Sequence, residues 1–179
     1  MFQESIQLVD CNDRPISTED KLVAHEQGLL HRAVSVFAVG PQGQILLQRR
    51  ALRKYHSAGL WSNSCCGHPL PGEQAAVAAR RRLKDELGIS AARITYVSKF
   101  HYCCRVSPSM IENEIVHLYR ADLPSLYVAA NPGEVACIRW TTKGELFEAV
   151  RHSPNEYSEW LRVYLTSFSR TIIKQLFLA

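Results

Sequence analysis

The sequence predicts a mixed α/β (α+β) fold in one domain, with a β-sheet flanked by helices. Its 179 residues suit a single well-buried domain better than two. A hydrophobic content of 46% with 21% charged residues is ordinary for a globular protein. Short β-rich runs lie on both sides of one helical segment, and further helical segments end the chain, which is an order typical of mixed folds. We therefore expect residues 1–179 to form one domain.

The N-terminal third is predicted to be rich in β-structure. Ser5–Val9 alternates weakly between apolar and polar residues and precedes a turn at residues 12–15. Residues 33–39 and 45–48 are β-rich and are separated by Gly40-Pro41-Gln42-Gly43. This spacing predicts a hairpin with a four-residue loop.

The middle of the chain predicts a functional loop and a helix. Residues 53–71 hold two glycines and two prolines, which is too many breakers for a helix. Residues 74–87 contain neither and are followed by Gly88, the residue type expected just past a helix C-terminus. The remaining predictions are strands at 94–102, 115–121 and 135–140, a helix at 143–150, and a helical segment at 156–177.

Composition argues against several classes of partner. The formal charge is only +4, and the basic residues are spread out apart from Arg49-Arg50 and residues 80–82. That is too mild a charge for a nucleic-acid partner. No apolar run approaches the length of a membrane span, and residues 1–10 lack the features of a signal peptide. We expect a cytoplasmic protein with no nucleic-acid and no membrane partner, either a monomer or a homodimer.

The six cysteines are predicted to be free thiols. Two adjacent pairs, Cys65-Cys66 and Cys103-Cys104, do not resemble a disulfide framework. A thiol in a reducing compartment is more often a small buried hydrophobe than a reactive group, so a reactive cysteine needs further support.

Five side chains together suggest a metal-assisted acid/base site. Glu112 and Glu114 are two residues apart, so on an extended segment both side chains share one face. Imidazole nitrogens and carboxylate oxygens form a donor mixture suited to Mn2+, Zn2+ or Mg2+. Any single histidine is more often an ordinary core or surface residue, and the argument depends on the set. The proposed ligands are His25, His31, His68, Glu112 and Glu114.

Residues 67–73 followed by residues 81–89 resemble the Nudix box, a loop and helix whose glutamates hold divalent cations against a diphosphate. The glycines, Glu73, Arg81, Glu86 and Gly88 match, whereas Arg82 and Asp85 stand where hydrolases carry glutamates. Arg82 cannot ligate a metal ion but suits bidentate phosphate contact. The resemblance implies a Nudix-like domain that handles a diphosphate and lacks part of the hydrolytic metal cluster.

Two further segments, residues 61–69 (WSNSCCGHP) and Glu112-Asn113-Glu114, resemble the signatures of type I isopentenyl-diphosphate isomerases. Tyr102 and Trp160 fit that family in the same order, as do the histidines and Arg49-Arg50-Ala51, so the resemblance covers about residues 21–160. It implies conversion of isopentenyl diphosphate into dimethylallyl diphosphate for isoprenoid synthesis. A proton is added, a tertiary carbocation forms, and another proton is removed.

The resemblance also implies residue roles. Cys66 and Glu114 would transfer the protons, Tyr102 would hydrogen-bond beside the carboxylate, and an aromatic face of Trp160 would stabilise the cation by about 2 kcal/mol. Without the family, Cys66 is more often a buried structural thiol, and Trp160 is equally well a packing residue.

The diphosphate requires positive charge, and the resemblance implies a Mg2+ ion held by Glu86 and the Cys66 main-chain carbonyl. Each candidate cation taken singly is more often a solvated surface charge. The proposed diphosphate-binding side chains are Lys21, Arg50, Lys54 and Arg82.

Two alternatives remain. A Nudix hydrolase would share the box and the metal, but Arg82, Asp85 and Cys66 argue against it. A binding protein that kept the fold and a structural metal would have no need for intact acid/base candidates. Product analysis separates the three possibilities.

Overall fold

A computed structural model describes residues 4–177 and places nine strands in one mixed sheet with five α-helices around it. The predicted fold class is confirmed. The elements are β1 (Ser5–Val9), β2 (Pro15–Asp20), α1 (Lys21–Gln27), β3 (His31–Val39), β4 (Ile45–Arg50), β5 (Trp61–Ser62), β6 (Cys65–Gly67), α2 (Ala75–Leu87), β7 (Arg93–Ser107), β8 (Met110–Asp122), β9 (Val135–Thr141), α3 (Lys143–His152), α4 (Glu159–Ser167) and α5 (Arg170–Phe177).

Helices cover both faces of the sheet. One apolar cluster packs α2 against residues such as Val34 and Val36 of β3. The other packs α3, α4 and α5 against Phe37 and its neighbours. Successive residues of β3 enter opposite clusters because side chains of a strand alternate between the two faces. None of the described helices is long and apolar enough to cross a membrane.

Strand β3 organises the sheet. Strand β8 runs parallel to it along its whole length, from His31↔Glu114 to Val39↔Asp122. A strand has only two edges, so β1, β6 and β4 share the other edge in turn. The predicted hairpin of β3 and β4 therefore pairs only at Val39↔Ile45, and β4 continues with β9 and β5 as partners.

Two strands are longer than predicted. β7 and β8 form an antiparallel ladder that continues past the apolar stretches into polar sequence. This extension places Tyr102 opposite Glu114 and Cys104 opposite Glu112. Polar residues carry little strand signal by themselves, and the pairing that extends the strands is non-local.

Some elements were missed or divided differently. β2 is mostly polar and exposed, and α1 has only seven residues, which gives little periodicity to detect. The Asp20 side chain accepts hydrogen bonds from the first turn of α1, and Gly28 ends the helix in the left-handed region. The segment 156–177 is helical as predicted but is broken after α4, where Phe168 is extended and the Ser169 hydroxyl accepts from Ile172 N.

Gly88 should be intolerant of substitution. It ends α2 at φ +67°, and a Cβ there would lie 2.8 Å from Ala129 O. We expect Gly88→Ala to lower the free energy of unfolding by about 2 kcal/mol, because alanine is strained in this conformation. Urea denaturation measures this. The control is Gly144, which lies in α3 with no neighbouring atom close to an added Cβ. Gly144→Ala should raise the free energy of unfolding by about 0.5 kcal/mol. Equal stabilities for the two variants would contradict the assigned cap.

Candidate active site

A cleft of about 560 Å³ opens beside the N-terminal end of β3. Most side chains singled out from the sequence line it. Those are Lys21, Arg50, Lys54, Cys66, His68, Arg82, Glu86, Tyr102, Glu112, Glu114 and Trp160. His25 and His31 lie directly behind, fully buried and in ring contact with His68. Gly67 of the box also lines the cleft, as do Glu4, Tyr55, His56 and Tyr164, which were not predicted.

Three histidines and one glutamate converge in a buried cluster. His25 Nδ1 bonds Lys21 O and His31 Nδ1 bonds Leu29 O, each at 2.7 Å, which leaves Nε2 of both rings free. Glu114 Oε1 lies 3.1 Å from His68 Nε2 and 3.3 Å from His31 Nε2. One donor atom from each of the four residues lies within 4.8 Å of all the others.

This cluster fits a divalent cation. The Nε2 atoms of His25 and His31 are buried and have no hydrogen-bond partner in the described part of the chain. Burial lowers the pKa of His68 to about 3, and burial together with the His31 charge lowers the pKa of His25, so both rings are neutral near pH 7. Neutral imidazoles are the form that ligates metals, and nitrogen mixed with oxygen suits a borderline ion such as Mn2+ or Zn2+.

Glu112 lies beside this cluster and not within its four-donor set. Its near neighbours among possible ligands are His25 and His56, with which it forms a second, overlapping set. The Tyr102 hydroxyl lies 2.7 Å from Glu112 Oε2 and 2.7 Å from Glu114 Oε2. The five proposed ligands are thus brought together, with Glu112 on one side. His56 was missed because a single loop histidine carries no spacing signal.

The two carboxyl groups have pKa values shifted in opposite directions. Burial, and then the charge of Glu114, raises the pKa of Glu112 well above its ordinary value. Burial also pushes the pKa of Glu114 upward, but the close approach of the His31 and His68 rings to its Oε1 outweighs burial and holds that pKa well below its ordinary value. Of the two carboxyl groups, Glu112 therefore holds a proton more tightly than Glu114.

Cys66 is held at the cleft by an amide side chain. Its Sγ lies 3.3 Å from Asn63 Oδ1 and 3.5 Å from Ser35 Oγ. The Asn63 amide nitrogen donates to Ser35 Oγ and Val36 O, which directs Oδ1 toward the thiol. Neighbouring Cys65 is fully buried in the opposite core, as strand alternation requires.

The Cys66 thiol should react slowly at neutral pH. Burial raises its pKa to about 12, so the neutral thiol dominates up to that pH. Only thiolate is alkylated, and at pH 8 we expect iodoacetamide to modify Cys66 about a thousandfold more slowly than a thiol of pKa 9. The rate should rise about tenfold with each pH unit up to about 12. Peptide mass spectrometry follows the modification, with exposed Cys11 as an internal check on the reagent. Rapid modification of Cys66 at pH 8 would mean that the thiol is ionised.

The cationic wall of the cleft is built from Lys54, on the loop between β4 and β5, and from Arg82 of α2. Arg82 donates to Glu86 Oε1 at 2.7 Å, and Gln48 donates to Glu86 Oε2 at 2.7 Å. Arg82 and Lys54 also share the carboxylate of Glu134, which was not predicted. Despite its burial, contact with Glu86 and Glu134 raises the pKa of Arg82.

Glycine at position 67 allows Arg82 to lie against the backbone. A Cβ at that position would meet the Arg82 side chain at 2.8 Å. Two other residues of the box, Glu73 and Arg81, do not line the cleft. Arg81 binds Glu73 through two hydrogen bonds and also reaches His68 O, so Glu73 serves the loop structure. Of the box glutamates that match the motif, Glu86 alone lines the cleft.

An aromatic wall closes the inner side of the cleft. Trp160 is almost fully buried, and its Nε1 donates to Ser62 Oγ at 2.9 Å and to Asn63 Oδ1 at 3.2 Å. The Arg50 guanidinium lies 5.0 Å from the Trp160 ring centroid. Tyr164, one helical turn further along α4, lines the cleft on the same side. Trp160 therefore presents its ring at a place that already attracts a cation.

Solved structures with similar folds share the architecture. The crystal structure of DR0079 from Deinococcus radiodurans matches with a TM-score of 0.74 and 21% identity, covering 93% of this chain and 100% of that chain. The crystal structure of a MutT protein from Methanosarcina mazei matches with a TM-score of 0.62 and 16% identity, covering 82% of this chain and 95% of that chain. At these identities the likeness concerns the fold alone.

Sequence comparisons identify the family of the chain. The NUDIX domain model matches residues 29–161. An isopentenyl-diphosphate Delta-isomerase of Dinoroseobacter shibae is 46% identical, covering 89% of this chain and 89% of the relative. One from Burkholderia multivorans is 44% identical with the same coverage of both chains. The chain belongs to the Nudix domain family and, within it, to the isopentenyl-diphosphate Delta-isomerases.

Proposed function

We propose that this protein converts isopentenyl diphosphate into dimethylallyl diphosphate. The observation that carries the proposal is that the Cys66 thiol and the Glu114 carboxylate line one cleft together with cations and aromatic rings. Proton addition and removal require two such groups, and the diphosphate requires the cations.

The two proton-transfer residues enter the cleft from different strands. Cys66 pairs with Ser35 on one edge of β3, and Glu114 pairs with His31 on the other edge. These two positions are four residues apart, which is about 13 Å along the strand. The side chains therefore approach the cleft from separate places, as is needed for a substrate that lies between them.

The reaction balances with one proton in and one proton out. One group donates a proton to the terminal methylene carbon of the substrate, which leaves a tertiary cation at the neighbouring carbon. The other group removes a proton from the carbon on the diphosphate side, and the double bond forms there. The diphosphate is unchanged, and one proton has to pass between the two groups before the next cycle. The Tyr102 hydroxyl, in contact with both carboxylates, suits that passage.

The protein's own residues orient the substrate. Arg82, Lys54, Arg50 and Lys21 would bind the diphosphate, and the Trp160 ring, which lies beside Arg50, would face the carbocation. Divalent cations held by the His/Glu cluster and by Glu86 with the Cys66 carbonyl would supply positive charge, which favours the ionised carboxylate and offsets the diphosphate.

Hydrolysis of the diphosphate is disfavoured by the way the box is used. Nudix hydrolysis by the mechanism that the motif implies needs several glutamates around the metal. Here both carboxylate oxygens of Glu73 accept hydrogen bonds from Arg81, and Arg82 occupies a position where hydrolases carry glutamate. Glu86 alone cannot assemble a multi-carboxylate metal cluster.

The direct test is incubation with isopentenyl diphosphate and Mg2+ in deuterated water, followed by NMR of the allylic signals. We expect dimethylallyl diphosphate that carries solvent deuterium. Release of inorganic phosphate would identify a hydrolase. Unchanged substrate in the presence of Mg2+, Mn2+ and Zn2+ would indicate a binding protein without catalytic activity.

A further inference from the structure

His56 is a buried histidine of the cleft that the proposed reaction does not use. It lies on the loop between β4 and β5 and is 7% exposed. The residue after it, Ser57, has φ +49°, an uncommon conformation for a residue other than glycine. Arg50 donates to the His56 carbonyl at 3.2 Å. The loop is therefore built to turn this side chain inward.

The His56 ring lies between the metal cluster and the aromatic wall. Its centroid is 5.9 Å from the His25 ring and 5.9 Å from the Trp160 ring. Nδ1 lies 3.2 Å from Ser57 Oγ, and Nε2 lies 3.7 Å from Glu112 Oε1. With the serine hydroxyl donating to Nδ1, Nε2 carries the hydrogen and faces the carboxylate.

Glu112 lacks a donor of its own. Its Oε2 shares the Tyr102 hydroxyl with Glu114, and a hydroxyl has one proton to donate. Within residues 4–177, His56 is the one other side chain whose donor faces this carboxylate at short range. A carboxylate that ligates a metal ion is normally held by a hydrogen bond from outside the coordination shell.

We propose that His56 is a positioning residue that holds Glu112 in the orientation needed to ligate the cation of the His/Glu cluster. The proposal rests on the cation site of the proposed function and not on the isomerase reaction. Nε2 donates to Glu112 Oε1, the Tyr102 hydroxyl fixes Oε2, and the carboxylate is directed toward His25. The present separation of 3.7 Å is longer than a hydrogen bond, so the proposed bond requires a small shift of the carboxylate toward His56 when it binds a cation.

The alternative role, in which His56 is itself a ligand, fits the geometry less well. His56 shares a donor set with His25 and Glu112 but not with the four-residue set around Glu114. His25 has one free nitrogen because Nδ1 is committed to Lys21 O, so it cannot serve two separate ions. The two donor sets that share His25 can therefore hold only one cation between them.

The test compares His56→Gln, which keeps an N–H donor, with His56→Leu, which has none. Metal-depleted proteins are titrated calorimetrically with Zn2+ and with Mn2+ in the absence of substrate. We expect His56→Leu to bind both ions about 10- to 100-fold more weakly and His56→Gln to stay within about threefold of the natural protein. The control is His152→Gln, an exposed histidine at the end of α3, which should bind like the natural protein.

Three outcomes are distinguishable, and thermal unfolding checks that each variant is folded. Loss in the leucine variant with retention in the glutamine variant supports the positioning role. An equal loss of metal affinity in both variants would make His56 a ligand. No loss of affinity in either variant would mean that His56 only lines the cleft. Either result would overturn the proposal. Because these titrations contain no substrate, they are independent of the product analysis that tests the isomerase.

Discussion

Replacing Cys66 with serine should lower turnover by a factor of about 10² to 10⁴ and leave the fold intact. The oxygen fits the space of the sulfur, so contacts with Asn63 and Ser35 can be kept. A serine hydroxyl is a far weaker acid than a thiol, and it cannot take over the proton transfer. The measurement is the initial rate of dimethylallyl diphosphate formation, with circular dichroism as the check on folding.

Cys103→Ser is the matched control for this experiment. Cys103 is exposed on β7 and does not line the cleft, so the same chemical change there should not affect turnover. A Cys66→Ser protein with normal turnover would remove the thiol from the reaction. The second acid/base group would then have to be sought among the other titratable residues of the cleft.

Most residues of the cleft were predicted through the resemblance to a known family, whose motifs are local in sequence. Cys66 and His68 are two residues apart, Glu112 and Glu114 likewise, and Arg82 and Glu86 are one helical turn apart. Spacings of two on a strand and four on a helix determine which side chains share a face. The β-sheet then brings these local groups together, since β6 and β8 both pair with β3.

Glu134 could not be predicted because its role depends on long-range pairing. It lies 52 residues after Arg82 and 80 after Lys54, yet it binds both. The Ala51 N–H bonds the Glu134 carbonyl just before β9 pairs with β4, and this pairing brings Glu134 to the cleft. In the sequence it is one acidic residue beside Gly133 in a region without a motif.

The hairpin prediction shows a similar limit. Two β-rich segments joined by four turn residues normally pair along their length. Here the turn forms, but the short strand β6 occupies the edge of β3 from Val34 to Val36. β6 comes from a segment predicted only as a loop, and its three residues carry too little pattern to be recognised as a strand. That displacement brings Cys66 opposite Ser35.

Glu114→Gln should produce the other large loss, for two separate reasons. The amide cannot donate or accept the proton that the reaction moves, which costs about 10² to 10⁴ in turnover. It also removes the negative charge from the centre of the His25, His31 and His68 cluster, so the affinity for Zn2+ and Mn2+ should fall as well. Turnover and calorimetric metal binding measure the two effects independently. Glu148→Gln, on the exposed face of α3, should change neither.

The metal concentration separates the two roles of Glu114. If the carboxylate only ligates the cation, raising Zn2+ or Mn2+ until the variant is saturated should restore turnover. If it also transfers a proton, turnover stays low at saturation because the amide is no acid or base. The place of Glu114 among the histidine rings favours a ligand role, and its contact with the Tyr102 hydroxyl favours a proton path. We therefore expect low turnover to persist at saturating metal, and full recovery would assign the proton transfer to another residue.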